Sequence, residues 1–146
     1  MKIILLITNS EESFAALERT NSLCSNSKSY SLTIAHLVAL NEQSNLPGLH
    51  NLDQAFNLQI ESQAEESIDA CLSHISCNYP NLKHEFKKIS GKAEIGPLIQ
   101  EFVESNDVDL VVVGSRNLGP AKRFVLGSVS DYVVHHLKVP VMVCKV

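Results

Sequence analysis

The 146-residue chain has no apolar run long enough to cross a bilayer. Its apolar runs, such as IILLI near the start and VPVMV near the end, are far shorter than the roughly 18–20 residues that a membrane-spanning helix needs. The first residues carry one lysine and lead directly into a strand-like segment without a small-residue cleavage site, so we expect no signal peptide. These features predict a cytoplasmic protein.

The chain also lacks a strong charge of either sign. It has 12 basic and 16 acidic residues, which gives a formal net charge of −4. Such a balance provides no general field to attract nucleic acid or an anionic membrane surface. We therefore expect neither partner, and any bound anion must be held by local geometry.

Cysteine is sparse, and the four cysteines have no spacing typical of a disulfide framework. A metal site formed by Cys71, His74 and Cys77 is disfavoured, because residues i, i+3 and i+6 of a helix spread over a wide arc and cannot converge on one ion. We expect small buried or half-buried thiols and no metal site.

Two common phosphate-binding signatures are missing. Gly127 and Ser128 are followed by valine, so the Gly-Lys-Ser/Thr ending of a Walker loop is absent. The end of the first predicted strand and the two residues after it, Thr8-Asn9-Ser10, lack the glycines of a dinucleotide-binding fingerprint. The sequence thus disfavours both P-loop nucleotide hydrolases and dinucleotide-binding oxidoreductases.

What the chain does have is a regular alternation of apolar runs with helical stripes, in a length that suits one globular domain over residues 1–146. Strands are predicted over 2–8, 31–40, 83–89, 108–113 and 140–146. Helices are predicted from Asn9, from about Asp53 to Tyr79, from about Ile95, and from Ser128 to Leu137. This order predicts an α/β fold with an open five-stranded parallel sheet and helices on both faces, and a ligand site beyond the carboxyl ends of the strands.

The segment GSRNLGPAKRFVLGSVS, residues 114–130, joins the fourth strand to the last helix. Glycines at a strand end and at a helix start are typical of a main-chain phosphate site. Ser128 and Asp131 also match a capping box, in which side chains satisfy the first amides of the helix. From chemistry alone, phosphate binding and capping both stay open.

The run VVVGSRNLGPAKRFVLGSVSDYVVHHLKVPVMV resembles the carboxyl-terminal third of the universal stress protein family. Nucleotide-binding members of that family carry a glycine, two residues, a second glycine, nine residues, and then Gly-Ser or Gly-Thr. Gly114 matches the first glycine and Gly127-Ser128 the closing pair. The resemblance implies a Rossmann-like fold of the adenine nucleotide alpha hydrolase type.

The resemblance also implies an adenine nucleotide, ATP or AMP, with or without Mg²⁺. The adenine would lie near Thr8 and the backbone of Leu37. The ribose and phosphates would follow Val113, Gly114, Asn117, Gly127, Ser128, Val129 and Ser130. Arg116, Lys122 and Arg123 lie in the same loop, where contact with phosphate and full solvation are both open interpretations.

Two positions depart from the pattern of the nucleotide-binding relatives. Asn117 stands in place of the middle glycine, although asparagine tolerates a left-handed backbone better than other non-glycine residues. Thr8 stands where those relatives usually have an aspartate, and its hydroxyl brings no negative charge. Both changes weaken the expectation of tight ATP–Mg²⁺ binding.

We expect a regulatory protein of the stress response that changes conformation or partner when a nucleotide binds. The alternative is a dimeric interaction protein with a vestigial pocket. A slow ATPase is not expected, because His135 and His136 lie more than a helical turn from Ser128, with His136 predicted near the core. The exposed edge of the last strand, together with the resemblance, predicts a homodimer through that strand.

Overall fold

A computed structural model of the chain describes residues 1–42, 45–46, 48–116 and 126–146. Within these ranges strands and helices alternate in the predicted order. The strands are β1 (Lys2–Leu6), β2 (Ser31–Ala39), β3 (Glu85–Gly91), β4 (Leu110–Ser115) and β5 (Val141–Lys145). The helices are α1 (Glu11–Ser25), α2 (Leu49–Asn78), α3 (Ile95–Glu104) and α4 (Ser128–His136).

All strand pairs of the sheet are parallel, and the strand order is β3-β2-β1-β4-β5. The chain moves from β1 outward to β3 and then returns to the other side of β1 for β4 and β5. The order therefore reverses between β1 and β4, where Leu6 pairs with Val113. In open parallel sheets this reversal opens a crevice at the carboxyl ends of the strands.

Helices cover both faces of the sheet, as predicted. On one face α1 and α2 pack over residues that include Leu5, Ile34 and Val112. On the other face α3 and α4 pack over residues that include Leu6 and Val113. Because β1 is buried on both faces, its sequence is a continuous apolar run from Ile3 to Leu6 without polar alternation.

Two helix starts differ from the sequence prediction. Helix α2 begins at Leu49 rather than near Asp53, after Gly48 in a left-handed conformation with φ of 87°. Leu49 and Leu52 are exposed, so this first part of α2 adds nothing to the buried stripe on which the prediction relied. Helix α1 is capped by Ser10 rather than Asn9, and the Ser10 Oγ accepts the Ser13 N–H at 3.3 Å.

The cysteines lie in different surroundings. Cys24, Cys71 and Cys144 are buried, whereas Cys77 is exposed on α2. Burial raises the pKa of the Cys71 thiol to about 11. His74, which lies between Cys71 and Cys77 in sequence, stacks on Phe14, with the two ring centroids 3.9 Å apart.

Among the described residues, no helix combines the length and the apolar character that crossing a membrane requires. The long helix α2 carries five acidic side chains, at Asp53, Glu61, Glu65, Glu66 and Asp69. Two of them, Glu61 and Glu65, accept hydrogen bonds from Lys88 of the edge strand β3 at 2.5 and 2.6 Å. These bonds tie the lysine-bearing edge strand to α2.

Candidate functional site

A cavity of about 430 Å³ lies at the carboxyl ends of β1, β2 and β4. The first turns of α1 and α4 flank it, and Ile95 and Ile99 of α3 contribute apolar surface to its lining. This is the reversal point of the strand order, and the volume lies in the range of small-molecule sites.

The structure brings the predicted site residues together around this cavity. All nine of those that it describes are among the lining residues, namely Thr8, Leu37, Val113, Gly114, Arg116, Gly127, Ser128, Val129 and Ser130. Asn117, Lys122 and Arg123 lie outside the described residues. Thr8 and Leu37 come from the first third of the chain and lie near Gly114 because β2, β1 and β4 are neighbours in the sheet.

The start of α4 corrects the predicted capping box. Gly127 is the N-cap, and Ser128 is already the first helical residue, so the Ser128 hydroxyl does not occupy the capping position. The first intrahelical bond runs from the Asp131 N–H to the Gly127 carbonyl at 2.8 Å. The amides of Ser128, Val129 and Ser130 therefore have no partner within the helix, and Gly127 has no side chain to accept from them.

The Ser130 hydroxyl is directed inward at this helix start. Its Oγ lies 3.0 Å from the Gly127 carbonyl oxygen and 3.3 Å from the Ser115 Oγ, and both serines are buried. These contacts fix the turn that carries the chain into α4. The polar groups that this turn can offer to a ligand are thus mainly backbone amides and the Ser128 hydroxyl.

Gly114 is required by the packing of α1 against β4. A Cβ atom at this position would lie 2.3 Å from the backbone oxygen of Glu12 and 2.9 Å from the Ser13 nitrogen. Only a glycine lets the first turn of α1 approach the end of β4 so closely. At Gly127, by contrast, a Cβ would meet, among the described residues, only the Ser130 Oγ at 3.6 Å, and φ is an ordinary −64°.

A cluster of hydroxyl groups lies where β1 runs into α1. The Thr8 Oγ1 is 3.0 Å from the Ser10 Oγ and 3.1 Å from the Ser13 Oγ, and the Thr8 N–H donates to the Ser13 Oγ at 3.0 Å. Thr8 and Ser13 both line the cavity. The cluster holds Thr8 in place and offers hydrogen-bonding groups of neutral charge.

Glu12 was not predicted as a site residue, and it lines the cavity from the first turn of α1. Its Oε1 lies 3.2 Å from the Nε of Arg116, at the end of β4. The Glu12 side chain is 19% exposed and that of Arg116 is 76% exposed. The signal available in the sequence was a carboxylate four positions after Thr8, in the first turn of the predicted helix.

Among the described residues, the other titratable groups near the cavity do not form a catalytic arrangement. His135 and His136 are both exposed, so the expected position of His136 near the core is wrong. The His136 ring stacks on the Tyr132 ring, with the two ring centroids 3.9 Å apart. His36 is buried and donates from Nδ1 to the Ile7 carbonyl at 2.8 Å, which joins β2 to the residue after β1. No cluster suited to a metal ion occurs among the described residues.

Comparison with known sequences finds one family. The sequence model of the universal stress protein family matches residues 1–145. The chain is 42% identical over 50 residues to Universal stress protein Sll1388 of Synechocystis and 29% identical over 90 residues to Universal stress protein G of Shigella flexneri. These matches cover 34% and 62% of the chain, and they span 32% and 60% of the length of the two curated relatives.

Comparison with solved structures gives the same fold over 99% of the chain. UspA from Lactobacillus plantarum superposes with a TM-score of 0.70 at 20% identity, covering 97% of that protein. A family protein from Arabidopsis thaliana with AMP bound gives 0.65 at 20% identity and 91% coverage. A universal stress protein in complex with cAMP gives 0.57 at 19% identity and 96% coverage. At 19–20% identity, these superpositions show that the chain shares the Rossmann-like fold, and they show no more than the fold.

Proposed function

The chain belongs to the universal stress protein family, and from that premise we propose that it is a regulatory protein of the stress response that binds an adenine nucleotide. The ligand is ATP or AMP, with or without Mg²⁺. Binding changes the conformation or the partner of the protein and is not followed by efficient turnover. We further propose a cytoplasmic location, as predicted from the sequence.

The observation that carries the proposal is the convergence of the predicted residues on one cavity. Thr8, Leu37 and the Gly114 and Gly127 segments are distant in sequence, yet they border a single space at the reversal of strand order. The apolar lining from Leu37, Ile95 and Ile99 suits a flat heterocycle. The proposed arrangement sets the adenine against these side chains and the phosphates beside α4.

The start of α4 suits the phosphate end of such a ligand. The amides of its first turn lack partners within the helix, and the helix dipole adds a partial positive charge there. Backbone amides at a helix N-terminus bind phosphate without needing a lysine. The bound AMP and cAMP in the two relatives named above support an adenine nucleotide as the ligand.

A binding role is favoured over hydrolysis by the groups around the cavity. Hydrolysis needs a base that can activate water close to the phosphates. His135 instead bonds through Nδ1 to the Asp131 carbonyl at 2.8 Å, and neither residue lines the cavity. A slow ATPase remains the third alternative, and measuring phosphate release over several hours tests it.

We also propose that the protein forms a homodimer through β5. This strand is one edge of the sheet, and Val141, Met142 and Val143 are only partly buried. An apolar edge strand favours pairing with a second strand, and a twofold axis would repeat the contact on both subunits. The alternative function, a dimeric interaction protein with a vestigial pocket, shares this feature.

Thermal denaturation with a nucleotide series separates nucleotide binding from the vestigial pocket. ATP, ADP, AMP and cAMP are added with and without Mg²⁺, and at least one is expected to raise Tm in a concentration-dependent way. Gly127→Val places a branched side chain at the proposed phosphate site while the ordinary backbone angles let the variant fold. It should keep the Tm of the free protein and lose the nucleotide response. No response of the wild-type protein to any nucleotide would favour the vestigial pocket.

A further inference from the structure

The proposed function does not explain why the cavity contains the acidic side chain of Glu12. Among the described residues that line the cavity it is the single acidic side chain, and it lies in a cavity proposed for an anion. A carboxylate there repels a phosphate unless it serves another part of the ligand. Its backbone is held beside the end of β4 by the close packing against Gly114, so the side chain starts from a fixed position.

The carboxylate is paired in this structure with Arg116. The Nε–Oε1 distance is 3.2 Å, and the pair joins the first turn of α1 to the end of β4. A guanidinium has five N–H donors, and a carboxylate has acceptor capacity for several hydrogen bonds. Because the Arg116 side chain is 76% exposed, water weakens the pair, and exchange for other partners costs little.

A ribonucleotide offers each member of the pair an alternative partner. Phosphate oxygens accept charge-assisted hydrogen bonds from a guanidinium, and the two neighbouring hydroxyl groups of a ribose donate to a carboxylate. Glu12 is mostly covered, with 19% of its side chain exposed, so a hydrogen bond from a sugar hydroxyl there competes with less water than at the surface.

We propose that Glu12 is a specificity residue that selects ribose over deoxyribose, and that Arg116 releases it by turning to the phosphate. This inference rests on the proposed function, since it assigns a role within the same cavity. The carboxylate accepts hydrogen bonds from the sugar hydroxyls, and Arg116 covers the carboxylate when no nucleotide is bound. A ligand with both a phosphate and a ribose is then preferred to one that lacks either.

The test compares the binding of AMP, 2′-deoxyadenosine 5′-monophosphate and adenosine by titration calorimetry. A hydrogen bond to a charged group predicts that wild-type protein binds AMP at least about tenfold more tightly than its deoxy analogue. Glu12→Gln should reduce this ratio to below about threefold. Arg116→Met should mainly reduce the preference for AMP over adenosine.

Glu11→Gln is the matched control, because Glu11 is in the same first turn of α1, carries the same charge and is exposed outside the cavity. It should keep the wild-type ratio between AMP and its deoxy analogue. Equal binding of AMP and the deoxy analogue by wild-type protein would overturn the role of Glu12 and leave the proposed function standing. Failure to bind AMP, its deoxy analogue and adenosine, together with no Tm response to ATP or the other nucleotides, would overturn both. An unchanged ratio in Glu12→Gln would also overturn the role of Glu12.

Discussion

The replacement Gly114→Ala should destabilise the free protein, before any ligand is considered. The new Cβ would lie 2.3 Å from the backbone oxygen and 2.5 Å from the carbonyl carbon of Glu12. Because backbone cannot move aside as a side-chain tip can, the first turn of α1 must shift away from β4. Overpacking of this kind costs about 1–3 kcal/mol, and contact with backbone favours the upper half of that range. At about 2–4 °C per kcal/mol for a chain near this size, we expect Tm to fall by about 4–12 °C.

Gly127→Ala is the control for this prediction, since it makes the same chemical change at the other end of the loop. Its Cβ would meet the Ser130 Oγ at an ordinary 3.6 Å, and the backbone angles suit alanine. We expect an unchanged Tm or a small rise, because alanine reduces the entropy of the unfolded chain. Differential scanning calorimetry without nucleotide measures both variants. Equal stability of Gly114→Ala and wild type would refute the packing argument for Gly114.

Three further predictions address the dimer, the two departures from the nucleotide-binding pattern, and the thiols. Val141→Lys together with Val143→Lys should give monomers in sedimentation velocity, whereas a wild-type protein that stays monomeric at high micromolar concentration contradicts the dimer. Thr8→Asp together with Asn117→Gly should tighten ATP binding with Mg²⁺ by at least about tenfold in calorimetry, and no gain would argue against use of this pocket. Cys77 should react rapidly with a thiol reagent at pH 8, whereas the other three cysteines should react only after unfolding, because burial raises their pKa and blocks access. Rapid reaction of all four cysteines would contradict the described core.

The sheet and its order of elements could be predicted because their signal is local and repeated. The run over Ile3, Ile4 and Leu5 is apolar at every position, and burial on both faces of a parallel sheet is the physical cause of that pattern. The start of α2 could not be predicted in the same way. Leu49 and Leu52 are apolar but exposed, so their spacing does not mark a buried face.

The cavity itself was predicted in part. The glycine spacing identifies the Gly114 and Gly127 segments, but the contribution of Glu12 depends on how closely α1 approaches β4. The close approach is possible because Gly114 has no side chain; a Cβ atom there would collide with the backbone of Glu12. The sequence contains both Gly114 and Glu12 but does not indicate that they are in contact. The Glu12–Arg116 pair joins positions 104 residues apart and needs the three-dimensional fold.

The start of α4 shows why a local rule can fail where a ligand is proposed to bind. Ser128 and Asp131 match a capping box, and local propensity alone would set Ser128 at the N-cap. The structure sets Gly127 there, with ψ of 157°, and holds the turn instead through the inward-directed Ser130 hydroxyl. A capping serine would use an amide of the first turn, whereas this arrangement leaves those amides without a helical partner at the cavity wall. Departures from local rules are expected at functional sites, where stability is given up for binding. A bound phosphate would supply the missing acceptors, so a nucleotide bound as proposed would complete the first turn of α4.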